Sequence, residues 1–187
     1  MGGVRMNMVA ADLCDITVFS ELKESRAILP GSDIFGKIEA FLYFEAELMD
    51  SHAYDDWLAL WEPGGLYWVP SNQADLDPDR SVSIIYEHYD QISDRIFRLK
   101  DKRMHSQSPK SRLIRIVSNI TVTASGGSDV LVSSNFILGE ARSGQHQSLF
   151  ARATHLLKQG ADGFKILGKK VYLINNDAPM RNVTFLL

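Results

Sequence analysis

Aromatic and acidic side chains crowd one stretch of the chain, where they could line an acid–base site. The stretch contains Tyr54, Asp55, Asp56, Trp57, Trp61, Tyr67 and Trp68. A carboxyl group buried among aromatic rings has a raised pKa, and it can then exchange a proton with a substrate near neutral pH. A structural role explains the pattern better: the tryptophans belong to the core, and Asp55 and Asp56 favour the positive N-terminal end of a helix.

Metal ligands and nucleophiles are sparse in the rest of the sequence. The five histidines are His52, His88, His105, His146 and His155. None of them has another histidine three or four positions away, so no zinc-binding helix motif is present, and we expect exposed or core histidines. The single cysteine, Cys14, excludes an intramolecular disulfide and any metal site built from several thiolates. It favours a reducing compartment, and we predict the cytoplasm.

The composition is typical of a globular domain. The chain has 187 residues, of which 45% are hydrophobic and 23% are charged, and its formal net charge is -3. Without a long basic run, this charge argues against nucleic acid or an anionic membrane as a partner. No apolar stretch is long enough to predict a membrane-spanning helix. We predict a partly flexible leader at 1–33 and a single domain at 34–187.

The first half of the chain must position these residues mainly on helices. Helical spacing of apolar residues predicts a first helix with Asp33 as its N-cap. A second, short helix is predicted at 54–61, where the following proline and glycines at 62–65 end it. A short aromatic strand is predicted at 66–70, and a charged amphipathic helix is predicted around 92–99.

The second half changes to an apolar period of two. From residue 112 onward this period predicts four long antiparallel strands joined by tight turns. In the first strand, one face is predicted to carry Ile114, Ile116, Ile120 and Val122. In the last strand, Leu167, Val171 and Leu173 are predicted to lie opposite Ile166, Tyr172 and Ile174. Because both faces are apolar, we expect one to cover the helices and the other to meet a further surface, such as a second chain.

The predicted fold class is therefore α+β, with N-terminal helices packed on a long, curved antiparallel sheet. A further signal is the order of short sequence blocks along the chain. The blocks are EAELMD (45–50), YDDWL (54–58), GLYWVP (65–70), VSIIY (82–86), DRIFRL (94–99), VSNI (117–120), SNF (134–136), GFKI (163–166), KKVYL (169–173) and NVTFL (182–186). Their order and spacing resemble the small, or β, subunits of aromatic-ring-hydroxylating dioxygenases.

The resemblance implies a cone-shaped fold like that of nuclear transport factor 2 and the polyketide cyclases. It also implies a non-catalytic, structural subunit that forms a trimer and carries three large (α) subunits in a three-plus-three hexamer. The large subunit would hold the Rieske 2Fe–2S cluster and the mononuclear iron and would dihydroxylate aromatic rings. We therefore expect no catalytic residue, cofactor or metal in this chain. A single cysteine agrees with this, because a Rieske centre needs two cysteines and two histidines.

The sequence leaves open which surfaces contact other subunits and whether the chain has a different function. The candidate subunit contacts are the strands between 112 and 175 and the charged helix at 94–102. The first alternative function is a stand-alone cone-fold enzyme, such as a cyclase, a dehydratase or an isomerase, and a third is a binding module with an apolar cone. That enzyme would use Asp56, Tyr54 and His88 as acid and base in the cone.

Overall fold

Helices packed against one mixed sheet form the fold in the computed structural model, which describes residues 27–71, 82–101, 109–124, 129–176 and 183–187. The helices of these segments are α1 (Asp33–Asp50), α2 (Tyr54–Ala59) and α3 (Tyr89–Lys100). The strands are β1 (Ala27–Ile28), β2 (Trp61–Pro70), β3 (Ser83–His88), β4 (Arg112–Ala124), β5 (Asp129–Arg142), β6 (Gln145–Gly160) and β7 (Gly163–Leu173). The predictions about Cys14 and His105 fall outside the described residues.

The strands form one seven-stranded sheet in the order β1-β4-β5-β6-β7-β2-β3. All neighbours are antiparallel except β2 and β7, which run parallel. The predicted α+β class and the predicted meander from residue 112 onward are therefore confirmed. No helix in the described segments is long and apolar enough to cross a membrane.

Helix α1 begins one residue earlier than its predicted cap implies. Ser32, in extended conformation, is the N-cap, and its hydroxyl accepts a hydrogen bond from the backbone N–H of Phe35 at 3.4 Å. Asp33 is therefore the first helical residue, where its charge favours the positive end of the helix. The helix buries Ile38 and Leu42 against the sheet, as the apolar spacing predicts.

The second helix is shorter than predicted because β2 starts inside the predicted helix. Trp61 pairs with Ile166 of β7, and the backbone N–H of Ile166 donates to the carbonyl of Leu60 at 2.8 Å. The glycines interpreted as a helix stop lie within β2 instead. A Cβ on Gly65 would come within 2.9 Å of the Trp61 ring, so the glycine allows this close approach.

A β-bulge changes the facing of residues along β4. Between Ser118 and Thr121, β4 has one residue more than the facing part of β5. Asn119, in this bulge, adopts a positive φ of 53°. Ile114 and Ile116 are 66% and 61% exposed, whereas Val122 beyond the bulge is 3% exposed. The prediction that these isoleucines share a face with Val122 is wrong, because one extra residue reverses the alternation.

A second bulge has the same effect in β7. The register with β6 passes from Gly168 to Ile166 and leaves out Leu167. Ile166 therefore joins Val171 in the main core, and Leu167 belongs to a separate buried cluster. The predicted separation of Ile166 from Val171 is wrong for the same reason as in β4.

Apolar residues occupy both faces of the sheet, as predicted. The main core lies on the face that the helices cover. The other face carries a buried cluster of Leu66, Trp68, Leu131, Leu156 and Leu167. That face also carries exposed residues on three neighbouring strands and just beyond the end of β7, which we call the outer row: Ile116, Ile137, Phe150 and Ile174.

The segment 183–187 packs into the main core. Phe185, Leu186 and Leu187 are almost completely buried. The Tyr67 hydroxyl donates to the Leu187 carbonyl at 2.9 Å and accepts from the Leu187 backbone N–H at 2.9 Å. One tyrosine on β2 thus satisfies both polar groups of that backbone.

Candidate functional site

Three ionisable side chains meet in the core between α1 and the sheet. Glu45 comes from α1, His155 from β6 and Lys169 from β7, and each residue is at most 3% exposed. Glu45 is one helical turn from Leu42 and Met49, so it lies on the buried face of α1. We call Glu45, His155 and Lys169 the core triad.

The Glu45 carboxylate is the acceptor at the centre of the triad. Lys169 Nζ donates to Oε1 at 2.7 Å, and His155 Nε2 lies 3.0 Å from Oε2. The indole N–H of Trp57 donates to Oε1 at 3.2 Å. Lys169 Nζ also contacts Met49 Sδ at 3.5 Å. All these partners are buried, so the carboxylate has hydrogen-bond donors without access to solvent.

The electrostatics of the triad keep Glu45 ionised. Burial by itself raises the pKa of the Glu45 carboxyl, but the charge of Lys169 and the interactions with His155 outweigh burial and hold that pKa well below its usual range. A carboxylate held in this way is a poor proton acceptor at neutral pH. The geometry therefore suits an ion pair that orients α1 better than it suits acid–base catalysis.

A second ion pair, in which the arginine side chain is buried and the aspartate is partly exposed, lies beside the triad. The Arg115 guanidinium binds the Asp50 carboxylate, and the Arg115 backbone N–H donates to Asp50 Oδ2 at 2.7 Å. Arg115 also donates to the backbone carbonyl of Leu186. Because Asp50 ends α1, the helix is held to β4 at its end and to β6 and β7 through Glu45.

A small cavity is lined by residues of both ion pairs. Its volume is about 20 Å³, and its polar lining is Glu45, Arg115, Ser134, His155 and Lys169. This is room for about one water molecule. Sites for small organic ligands in proteins have volumes of roughly 300–1,000 Å³. The interior bounded by these residues therefore does not accommodate an aromatic substrate.

The residues of the alternative enzyme hypothesis occupy separate environments. Tyr54 is buried, burial raises its pKa, and its hydroxyl lies 2.8 Å from His52 Nδ1. Asp56 is exposed in the first turn of α2. The His88 backbone N–H donates to the Gln91 side chain at 2.9 Å, at the start of α3. Among the residues described, none of Tyr54, Asp56 and His88 lines the cavity, and their acid–base role stays a prediction.

The sequence does not predict that Glu45, His155 and Lys169 contact one another. His155 fits the expectation of a core histidine, because it is 2% exposed. One signal was available: Lys169 is two positions from the core residue Val171, and His155 is two positions from Ala153, so both occupy core positions of their strands. Pairing them with Glu45 required the tertiary fold.

The described segments contain no group of three or more His, Cys, Asp or Glu residues arranged to hold a metal ion. This finding covers only those segments. The expectation that any metal or cofactor lies in a partner subunit stays a prediction.

Comparison with known protein sequences identifies a family. The family described as ring hydroxylating beta subunit matches residues 44–179. The benzoate 1,2-dioxygenase subunit beta of Acinetobacter baylyi is 31% identical over 145 residues, which cover 75% of this chain and 86% of the relative. The small oxygenase component of the p-cumate 2,3-dioxygenase system of Pseudomonas putida is 31% identical over 140 residues, 73% of this chain and 77% of the relative.

Solved structures agree with the sequence relatives. The β subunit of benzoate 1,2-dioxygenase from Burkholderia mallei has a TM-score of 0.68 at 27% identity, covering 80% of this chain and 95% of that one. Naphthalene 1,2-dioxygenase with bound indole has a TM-score of 0.73 at 21% identity, with 94% and 96% covered. An NTF2-like protein from Novosphingobium aromaticivorans shares the fold, with a TM-score of 0.55 at 16% identity and 86% and 91% covered. The predicted cone fold is confirmed, and the chain belongs to the ring-hydroxylating β-subunit family.

Proposed function

We propose that this chain is the structural small subunit of an aromatic-ring-hydroxylating dioxygenase and that it supplies no catalytic residue. The observation that carries the proposal is the packing of the core triad between α1 and the sheet. Within the described residues, the core triad lies between α1 and the sheet, and the cavity that its members line has a volume of about 20 Å³. Substrate turnover would then belong to another subunit, and this chain would hold that subunit in place.

The partner in this proposal is a large (α) subunit that carries the Rieske cluster and the mononuclear iron. Relatives support this arrangement, because they are named as the beta subunit of a benzoate dioxygenase and the small component of a p-cumate dioxygenase system. The single cysteine, Cys14, also agrees, since this chain alone lacks the two cysteines of a Rieske centre. A cytoplasmic location remains part of the proposal.

Self-association as a trimer, within a three-plus-three hexamer, would use the outer row. Ile116 lies directly opposite Ile137, which lies directly opposite Phe150, and Ile174 donates its backbone N–H to the Phe150 carbonyl. These apolar side chains are exposed next to one another on one face of the sheet, which is typical of a protein–protein contact. Helix α3, with Phe97 73% exposed among charged residues, is the second candidate contact.

Purification from the native host under mild conditions tests the partner. We expect a larger chain in equal amount and a visible spectrum characteristic of a Rieske cluster. A colourless preparation without a partner would contradict the proposal and favour the stand-alone enzyme. In that case, loss of turnover in Asp56→Asn on an identified substrate would assign the site to Asp56.

A separate experiment tests the outer row. Ile116→Asp and Phe150→Asp place a charge in the proposed contact, and we expect light scattering to show loss of the trimer mass. Val82→Asp is the matched control, because Val82 is 76% exposed and precedes the edge strand β3. If the row variants keep the full mass, the contact between copies lies on another surface.

A further inference from the structure

The outer row has a positive charge beside it on the same face of the sheet. Arg152 is exposed and follows Phe150 by two positions on β6, so both side chains point to the outer face. The described residues that flank the outer row by register are Ile114, Gly139 and Ser148 on one side and Ser118, Asn135, Arg152 and Tyr172 on the other. Arg152 is the only charged residue in these two flanking rows. The apolar outer row therefore has a positive edge.

The exposed side of α3 has the opposite charge beside one aromatic ring. Ile92 and Ile96 face the core, so the far side of the helix carries Asp90, Asp94 and Phe97, which are spaced by four and three positions. All three are exposed. Phe97, at 73%, is the most exposed aromatic residue of the described segments. We call Asp90, Asp94 and Phe97 the α3 stripe, and its chemistry fits an apolar surface with a positive edge.

The charges of both surfaces are not neutralised within the described part of the chain. No described residue forms an ion pair with Arg152 or with either carboxylate of the α3 stripe. Of the exposed basic residues on α3, Lys100 pairs with Asp55 of α2, and Arg98 lies to one side of the stripe. A contact between copies would therefore bring together two charges that lack a partner within these segments.

The exposed aromatic residues of α1 fit the outer row less well. Tyr43 and Phe44 are 48% and 49% exposed, and the Tyr43 hydroxyl already donates to Glu39 on the same helix at 2.9 Å. The α3 stripe combines greater apolar exposure with unneutralised negative charge, and it is therefore the better complement of the outer row.

We propose that the α3 stripe of one copy docks on the outer row of the next copy, with Phe97 against the apolar side chains and Asp94 beside Arg152. This inference rests on the trimer of the proposed function and names the two surfaces that form it. Contacts in a cyclic trimer are heterologous, so each joins two different surfaces of the same chain. The two surfaces are distinct, because α3 packs into the main core, on the face of the sheet opposite the outer row. A buried phenylalanine with a charge pair at its edge is typical of a specific interface.

A charge exchange between α3 and β6 tests the pairing. The full chain is used alone or with its large subunit, in whichever form the wild type is a trimer. Arg152→Glu and Asp94→Arg each place like charges together, so we expect each to weaken trimer formation by about tenfold in a sedimentation dilution series. Both substitutions in one chain should recover most of that loss. Arg152→Glu with Glu47→Arg is the matched control and should stay weak, because Glu47 is exposed on α1 and not on α3.

Cross-linking gives a second test that does not depend on affinity. Cys14→Ser removes the only cysteine of the chain and is the background. With both Phe97→Cys and Ile137→Cys in one chain, a short bis-maleimide should produce a covalent trimer. Each single variant should stay unlinked, because the contact joins two different surfaces. A covalent dimer from Ile137→Cys alone would show that outer rows face each other and would overturn the pairing.

The outcomes separate this pairing from the proposed function. If the wild type is a trimer but the charge exchange recovers no affinity, the pairing is wrong and the structural-subunit proposal stands. If the wild type forms no trimer, either alone or with its large subunit, the self-association in the proposed function fails and the pairing fails with it.

Discussion

Glu45 on α1 and Lys169 on β7 form an ion pair at 2.7 Å, although 124 residues separate them in the sequence. Both side chains are almost completely removed from solvent. Desolvation of two charges offsets much of their attraction, so the pair itself adds little net stability. Loss of one partner is far more costly, because the other charge is then buried alone. The pair is therefore a sensitive probe of how α1 packs on the sheet.

Removal of the Glu45 charge should destabilise the fold strongly. We expect Glu45→Gln to lower the free energy of unfolding by about 3–5 kcal/mol in urea denaturation, because Lys169 loses its counter-charge. Glu47→Gln, on the exposed face of the same helix, is the control and should stay within about 0.5 kcal/mol of wild type. Adding Lys169→Met to Glu45→Gln should recover part of the loss. Equal effects of the two glutamate variants would contradict the ion-pair interpretation.

The same carboxylate makes stability depend on acidic pH. Because the pKa of Glu45 is lower in the folded than in the unfolded chain, its stabilising contribution is complete above the unfolded pKa of about 4.3. That contribution decreases as the pH falls below this value, by up to about 1.4 kcal/mol per pH unit. Urea denaturation between pH 2.5 and 6 should show a shallower decline for Glu45→Gln than for wild type. Parallel curves would mean that Glu45 titrates normally.

The hydroxyl of Tyr67 should stabilise the segment 183–187. Tyr67→Phe leaves the buried N–H and carbonyl of Leu187 without this partner, and we expect a loss of about 1–3 kcal/mol in unfolding free energy. Hydrogen exchange should also become faster at the Leu187 amide. Tyr43→Phe is the control, because the Tyr43 hydroxyl binds Glu39 on the exposed surface of α1. A Tyr67→Phe protein as stable as this control would show that the two hydrogen bonds are dispensable.

The bulge at Asn119 should tolerate only residues that accept a positive φ. Asn119→Val places a β-branched side chain in the left-handed region, and we expect a loss of about 1–2 kcal/mol. Asn119→Gly should be neutral or slightly stabilising, since glycine adopts this conformation freely. Ser118→Val, at the adjacent exposed strand position, controls for the added apolar surface. If both valine variants behave alike, the backbone at 119 relaxes without strain.

The strands show how far alternation in the sequence predicts the fold. In β5, simple alternation places Val130, Val132, Phe136 and Leu138 on one face, and all four are buried, because the pairing of β5 with β6 contains no bulge. In β4 and β7 the same reasoning fails beyond Asn119 and at Leu167, where one residue is left out of the register. A bulge depends on the pairing of two strands, and a single strand's pattern does not reveal it.

The sequence predicts the buried faces of the helices, but it does not predict which residues form the core triad. Ile92 and Ile96 of α3 are buried as their spacing predicts, since a helix face is set by local sequence. Glu45 and Lys169 come into contact only when β7 has joined the sheet beneath α1. Local periodicity indicates that each lies at a core position, and it carries no information about the partner.

The parallel pairing of β2 with β7 has a consequence for synthesis on the ribosome. β2 is made early, directly after α2. Its parallel partner, β7, is made only after the whole β4–β6 meander. Until then, the contacts of Trp61 and Tyr67 with β7 do not exist, and this aromatic surface of the nascent chain is incompletely covered. Contacts of such long sequence separation form slowly, and exposed apolar surface attracts chaperones or neighbouring chains meanwhile. The part of the sheet that joins β2 to β7 can therefore form only after β7 has been translated.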